Sequence, residues 1–192
     1  MKSSVPRKVV LIGASTGGPG IIQKIITALP QLNDVSFIIA QHMARGFIQS
    51  FAKRLQGHSL NTIGLVHNGQ FFESGNIYLC CGHAGVLLKD NILEFTQENS
   101  PEDAFNPDIN LVFNSFIPFT QEIKILSIIL TGIGDDGVSA CKDLSIKGAR
   151  CLTQKASSAV VDGMPSHARE SVPNIEILDT DTIIKTIQEF CS

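Results

Sequence analysis

Apolar segments of two kinds alternate along the chain, and their spacing predicts strands followed by helices. Residues 8–13 are apolar and β-branched, which is typical of a strand buried on both faces. Residues 18–29 then place isoleucine and leucine at helical spacing, with Pro19 in the first turn and Pro30 just past the end. The same reasoning predicts strands at 35–40, 76–80, 125–130, 150–153 and 175–178, and helices at 45–56, 108–117, 136–147, 164–171 and 181–190.

The middle of the chain departs from this alternation. Residues 86–95 have the pattern of a β-hairpin that turns at Asp90-Asn91, and the polar residues 97–107 contain two prolines and predict a loop. Elsewhere, alternating β and α elements imply an α/β fold with a mainly parallel sheet and helices on both faces. No internal repeat or linker divides the chain, so we expect one domain over residues 1–192.

Composition narrows the classes of function. Hydrophobic residues make up 43% of the 192 residues, which is enough for a substantial core. The 15 basic and 18 acidic residues give a net charge of -3 without a basic tract, so we expect no nucleic-acid partner. The longest apolar runs are too short to cross a bilayer, and no signal peptide precedes the first strand. These features predict a cytoplasmic protein that is not inserted in a membrane.

The five cysteines argue for reduced thiols. Their number is odd and they form no CxxC motif, as expected in the cytoplasm. Cys80 and Cys81 are adjacent and His83 is near, but a zinc site needs further ligands at useful spacing. We therefore expect buried thiols and no metal site.

Polar side chains that are able to act together follow three predicted strands. Ser15 lies within Gly13–Gly17, which matches G-x-S-x-G between a strand and a helix. His42 follows the second strand, and Asp135 and Asp136 follow a central one. Because the carboxyl ends of parallel strands share one edge of the sheet, these residues are expected to meet there. The grouping predicts a Ser-His-Asp hydrolase.

Each of these residues also has a structural interpretation. Ser15 is suited to capping the following helix, His42 to a purely structural role, and Asp135 or Asp136 to an N-cap. In the catalytic interpretation, Ser15 is the nucleophile, His42 the general base, and one of the two aspartates orients the imidazole. The residue types alone leave the choice between Asp135 and Asp136 open.

Two rival functions use overlapping residues. Gly132, Gly134 and Gly137 fit the dinucleotide motif G-x-G-x-x-G, but the two aspartates would place negative charge beside a pyrophosphate. An ordinary α/β-hydrolase would use Ser15, Asp136 and His167 in that order, although His167 falls inside a predicted helix. The charge disfavours the first and the placement of its histidine disfavours the second, and both stay open as alternatives.

Four motifs in order carry a family resemblance: Leu11–Pro19, Ala40–Met43, Thr131–Gly137 and Val160–Pro165. Together they resemble the catalytic domain of the chemotaxis receptor methylesterases, the CheB family. The resemblance implies a doubly wound α/β fold with an antiparallel hairpin, and no cofactor. It also implies hydrolysis of glutamate methyl esters on methyl-accepting chemotaxis receptors, acting on their cytoplasmic region, and in many members deamidation of receptor glutamines.

The resemblance also implies site residues. It assigns the nucleophile to Ser15, the base to His42 and the orienting carboxylate to Asp136 rather than Asp135. The Thr16 backbone N–H, at a helix start, is one candidate for the oxyanion hole, and the family pattern suggests the N–H of Ile133 as the other.

This chain departs from the family's usual pattern in three places: Tyr78–Gly85, Asn106–Asn110 and Lys155. These positions are expected near the substrate cleft, so a receptor-binding domain with weakened catalysis is a further alternative. Typical members carry a phosphorylatable receiver domain before the esterase domain, and none precedes the first strand here. The sequence is then either a natural form without a receiver domain or a fragment of a longer protein. As it stands, we expect a single catalytic domain whose activity does not respond to an aspartyl-phosphate donor.

Overall fold

A twisted sheet of seven parallel strands forms the centre of the fold. The computed structural model describes residues 6–90, 92–98 and 106–192. The strand order is β3-β4-β2-β1-β7-β8-β9, and every neighbouring pair is parallel. The strands are β1 Lys8–Ala14, β2 Val35–Gln41, β3 Thr62–Leu65, β4 Asn76–Leu79, β7 Lys124–Ile129, β8 Arg150–Gln154 and β9 Glu176–Leu178.

Six helices cover the two faces of this sheet. They are α1 Gly18–Ala28, α2 Arg45–Gln56, α3 Ile109–Asn114, α4 Val138–Ile146, α5 Gly163–Ser171 and α6 Thr180–Cys191. Helices α1, α2 and α6 bury their apolar residues in one core, and α3, α4 and α5 bury theirs in the other. Burial on both faces explains why β1 and β2 are almost continuously apolar.

A separate antiparallel hairpin packs beside α3. It consists of β5 His83–Lys89 and β6 Ile92–Glu98, and Phe95 of β6 makes an edge-to-face contact with Phe72. The predicted hairpin is therefore confirmed. Of its predicted turn, Asp90 has φ 51° and Asn91 lies outside the described residues. Of the predicted loop, residues 99–105 lie outside them as well.

The doubly wound α/β architecture agrees with the prediction, and the differences have local causes. No strand was predicted at Thr62–Leu65, because this four-residue edge strand is only partly buried and lacks an apolar run. The predicted helix 108–117 ends at Asn114 and is followed by a short 3₁₀ turn at Ile117–Phe119. The predicted helix 136–147 begins at Val138, since Gly137 has a left-handed φ of 86°.

The strand order reverses direction at the centre of the sheet. From β1 the chain winds outward through β2 on one side, and from β7 it winds outward through β8 on the other. The crevice beyond the carboxyl ends of β1 and β7 is the position where open α/β sheets bind their ligands. None of the helices in the described ranges is long and apolar enough to cross a bilayer.

Candidate active site

Ser15 occupies a tight turn between β1 and α1. Its N–H donates to the Thr131 carbonyl at 2.9 Å, and its own carbonyl accepts from Gly18 N–H at 2.9 Å. The N-cap of α1 is Gly17, with φ 84° and no side-chain cap. Ser15 therefore does not cap the helix, and the structural interpretation of this serine is wrong. The turn instead leaves its hydroxyl at the central crevice.

The approach of neighbouring chain segments to Ser15 requires a residue without a side chain at position 132. A Cβ atom on Gly132 would lie 2.7 Å from Ser15 Cβ and would also strike the Met164 sulfur. Gly163 packs equally closely, because a Cβ there would lie 2.7 Å from the Gly132 carbonyl oxygen. The Val160–Pro165 motif therefore packs directly on Gly132. The dinucleotide hypothesis would need a phosphate beside this glycine.

His42 and Asp136 form a direct pair. The His42 Nε2 and Asp136 Oδ2 atoms are 2.7 Å apart, and the histidine side chain is 10% exposed. His42 directly follows β2, and its N–H donates to the Ala14 carbonyl at 2.9 Å, immediately before Ser15. Because an ionised carboxylate only accepts hydrogen bonds, Nε2 carries the proton and Nδ1 is the basic nitrogen of the neutral ring.

Asp136 is held by the start of helix α3 as well as by His42. Its Oδ2 accepts from Ile109 N–H at 2.8 Å and its Oδ1 from Asn110 N–H at 3.0 Å. Burial alone would raise the pKa of Asp136, but the hydrogen bonds from His42, Ile109 and Asn110 outweigh burial and lower it. The carboxylate therefore stays ionised. Asp135 is exposed and has no such partners among the described residues.

One cavity of about 500 Å³ joins the predicted site residues. Ser15, His42 and Asp136 line it, and so do both oxyanion candidates, Thr16 and Ile133. Ile133 is 67% exposed. Among the described residues, no backbone carbonyl accepts from the N–H of Thr16 or Ile133. Both donors are therefore available to a developing oxyanion.

The loop that carries Ile133 is tied to the turn that carries Thr16. The Thr131 hydroxyl donates to the Thr16 carbonyl at 2.9 Å and accepts from Val161 N–H at 2.8 Å. Asp162 in turn receives two hydrogen bonds from the Arg169 guanidinium, at 2.6 and 2.9 Å. This chain of contacts was not apparent from the sequence, because it joins three loops that are distant along the chain.

Two further cavity residues lie in Tyr78–Gly85 and Asn106–Asn110, segments that were expected near the substrate cleft, although neither residue was singled out as a site residue. His83 begins β5 and Asp108 caps α3 by accepting from Leu111 N–H at 2.8 Å; both line the cavity. His83 is the first residue of the hairpin and does not directly follow a strand of the main sheet, so the strand-end criterion passed over it. Its place in the departure Tyr78–Gly85 was the available signal.

The remaining rivals find less support. His167 is exposed on α5 and does not line the cavity. All five cysteines are free thiols, and burial raises the pKa of Cys80 to about 12. In the part of the chain that the structure describes, no group of three or more His, Cys, Asp or Glu residues is arranged to hold a metal ion.

Comparisons with known proteins identify the family of the chain. The sequence model of the CheB methylesterase family matches residues 10–187. A relative from Nitratidesulfovibrio vulgaris named protein-glutamate methylesterase/protein-glutamine glutaminase 2 is 35% identical over 184 residues, covering 94% of this chain and 50% of the relative. A relative of the same name from Carboxydothermus hydrogenoformans is 33% identical over 188 residues, covering 95% and 53%.

A solved structure is similar over almost the whole chain. The crystal structure of the Thermotoga maritima CheB methylesterase catalytic domain matches with a TM-score of 0.86 and 26% identity, covering 96% of this chain and 99% of that domain. The chain spans about half the length of the curated relatives it matches. Because sequence and fold agree over most of its length, the chain belongs to the CheB methylesterase family.

Proposed function

We propose that this chain is a serine esterase that hydrolyses methyl esters of glutamate side chains on methyl-accepting chemotaxis receptors. The observation that carries the proposal is the His42–Asp136 pair at 2.7 Å, in the same cavity as a serine on a strand-to-helix turn. The names of its relatives support the substrate class. We further propose that residues 1–192 act as one catalytic domain, in the cytoplasm, on the cytoplasmic region of the receptors.

The first half of the reaction forms an acyl-enzyme. Ser15 Oγ gives its proton to His42 Nδ1 and attacks the ester carbonyl carbon, while Asp136 stabilises the imidazolium through Nε2–H. The N–H groups of Thr16 and Ile133 donate to the carbonyl oxygen as it gains negative charge. The bond from carbon to the methoxy oxygen then breaks, and His42 returns the proton to that oxygen, so methanol leaves.

The second half regenerates the enzyme. Water gives a proton to His42 Nδ1 and attacks the acyl carbon, and the bond to Ser15 Oγ breaks as the hydroxyl recovers its proton. The products are a free glutamate carboxylate and the original enzyme, so this sequence uses protein groups and water alone. With a glutamine side chain, the same steps would release ammonia, which accounts for deamidation as an accompanying activity.

Methanol release from methylated receptor tests this proposal. Ser15→Ala should lower the rate by at least about 10⁴-fold, because nucleophile and base act as a unit. Ser50→Ala is the matched control, since Ser50 is exposed on α2 and its hydroxyl bonds only the local Phe47 carbonyl at 2.8 Å. Equal release by the parent and Ser15→Ala would contradict the nucleophile. No release by a folded parent would contradict the activity.

A further inference from the structure

The side chain of Gln41 links the backbone of the proposed nucleophile to that of the proposed base. Gln41 is the last residue of β2 and is 1% exposed. Its Nε2 donates to the Ser15 carbonyl at 2.9 Å and to the His42 carbonyl at 2.9 Å. A flipped amide would set its oxygen against two carbonyl oxygens, so the orientation of the amide is determined by its partners.

This amide acts where regular strand pairing ends. Ala14 and Gln41 are the last paired residues of β1 and β2, and the His42 N–H to Ala14 carbonyl bond is the final backbone contact between these strands. Beyond this point the chain after Ser15 turns into α1, and the chain after His42 leaves the sheet. There the Gln41 side chain donates to the His42 carbonyl and adds a second donor to the Ser15 carbonyl, which also accepts from Gly18 N–H.

The second polar atom of the Gln41 side chain, Oε1, distinguishes positioning from simple support. Its Oε1 is buried and has no hydrogen-bond partner among the described residues, and it lies against Gly18 at the start of α1. A buried acceptor without a partner destabilises the fold. An apolar side chain of equal length would avoid that penalty but would lose the bonds to the Ser15 and His42 carbonyls, so what the amide gains at this position is its contact with those two carbonyls.

We propose that Gln41 is a positioning residue that sets the relative placement of Ser15 and His42. This inference rests on the proposed function of those two residues. The Ser15 carbonyl is held from both sides, by Gln41 and by Gly18 N–H, so the turn that carries the hydroxyl is anchored next to the base. Small errors in such placement are costly, since a shift of about 1 Å can cost on the order of 10²-fold in rate.

The test compares Gln41→Met with Asn61→Leu. Each change replaces a buried amide by an apolar side chain of similar size. Asn61 lies directly before β3, at the amino ends of the strands and away from the crevice. Its side chain accepts from Leu32 N–H and donates to the Pro30 carbonyl, both at 2.8 Å. We expect Gln41→Met to lower kcat about 10- to 100-fold with KM nearly unchanged. Asn61→Leu should lower Tm and leave kcat unchanged.

A second readout is independent of the receptor. A fluorophosphonate probe reacts with an activated serine, and its rate of labelling Ser15 should fall in Gln41→Met by the same factor as kcat. If Gln41→Met does not fold, Gln41→Asn replaces it, because its amide is one methylene too short to bridge both carbonyls. We expect Gln41→Asn to slow labelling as well.

The outcomes separate the two proposals. Labelling and kcat at parental values in a folded Gln41 variant would overturn the positioning role. Equal losses of kcat in Gln41→Met and Asn61→Leu would also overturn it, because the effect would then be general destabilisation. A parent protein that neither labels at Ser15 nor releases methanol would instead overturn the proposed function.

Discussion

The turns after β1 and β7 lead into their helices in the same way but differ in length, in burial and in the polar side chains that they carry. Each ends on a glycine N-cap in the left-handed region, Gly17 at φ 84° and Gly137 at φ 86°, without a side-chain cap. The first turn is short and buries Ser15 to 8% exposure, whereas the second is longer and leaves Ile133 67% exposed. The short turn holds the proposed nucleophile by bonds to its backbone, whereas the long one holds its aspartate by bonds from another helix to the side chain.

The helix that bonds this aspartate is α3. Its first two N–H groups hold the Asp136 carboxylate, and a Cβ on Gly137 would lie 2.5 Å from Ile109 Cγ2. Asp135, one residue earlier, has neither contact. The difference between two adjacent aspartates is therefore made by a helix about 25 residues away along the chain.

Of the substitutions that test this comparison, replacement of Asp136 should have the largest effect, a loss of kcat. Asp136→Asn keeps the shape but removes the charge that holds His42 in its tautomer, so kcat should fall on the order of 10³- to 10⁴-fold. Asp135→Asn is the matched control and should change kcat by less than about 3-fold, because no described residue bonds that carboxylate. Steady-state methanol release measures both. Similar losses in the two variants would contradict the assignment of Asp136.

The second-largest effect should be a difference in stability between substitutions of two glycines in the first turn of α1. A Cβ on Gly18 would strike Gln41 Oε1 and lie 2.7 Å from Ala14 Cβ, whereas a Cβ on Gly20 would meet nothing within 4 Å. We expect Gly18→Ala to lower the free energy of unfolding by about 1–3 kcal/mol and Gly20→Ala to raise it by about 0.4–1 kcal/mol. Urea denaturation checks both, and a neutral Gly18→Ala would show that the turn after β1 can relax.

Two arginine–carboxylate pairs test how strongly the long turn is supported. Arg169 bonds Asp162 beside the site, and its side chain is 20% exposed. Arg150 bonds Glu176 at the amino ends of β8 and β9, away from the site, and its side chain is 43% exposed. Arg169→Met should reduce the free energy of unfolding by about 1–3 kcal/mol and also lower kcat, whereas Arg150→Met should cost about 0–1 kcal/mol without loss of kcat. An unchanged kcat in Arg169→Met would show that the loop needs no such support.

The smallest expected effect is a dependence of stability on pH. The pKa of Asp136 is lowered from its ordinary value of 3.8 in the folded state, so its contribution to stability is present above that value. It is lost as pH falls through the lowered pKa. The stability difference between the parent and Asp136→Asn should therefore shrink below about pH 4. Urea denaturation at a series of pH values measures this, and a difference that grows on acidification would contradict the lowered pKa.

The sequence alone predicted the parts of the site that follow from strand order. Ser15, His42 and the Asp135-Asp136 pair each follow a buried apolar strand, and parallel strands place such residues at one edge. Strand order did not choose between the two aspartates; that choice came from the family resemblance. The contacts of Gln41, Thr131 and Arg169 were not predictable, because they join segments whose separation in space depends on the completed fold. His83 was not singled out within Tyr78–Gly85, because the hairpin that positions it lies outside the main sheet.

The central position of β1 has a consequence for how the enzyme loses activity. Local opening in proteins begins at weakly packed edges, here the short strands β3 and β9, while the strands at the middle exchange their amide hydrogens only on global unfolding. Ser15, His42 and Asp136 follow β1, β2 and β7, the three central strands. Partial fraying of the sheet would therefore leave the three side chains assembled, and inactivation should coincide with complete unfolding.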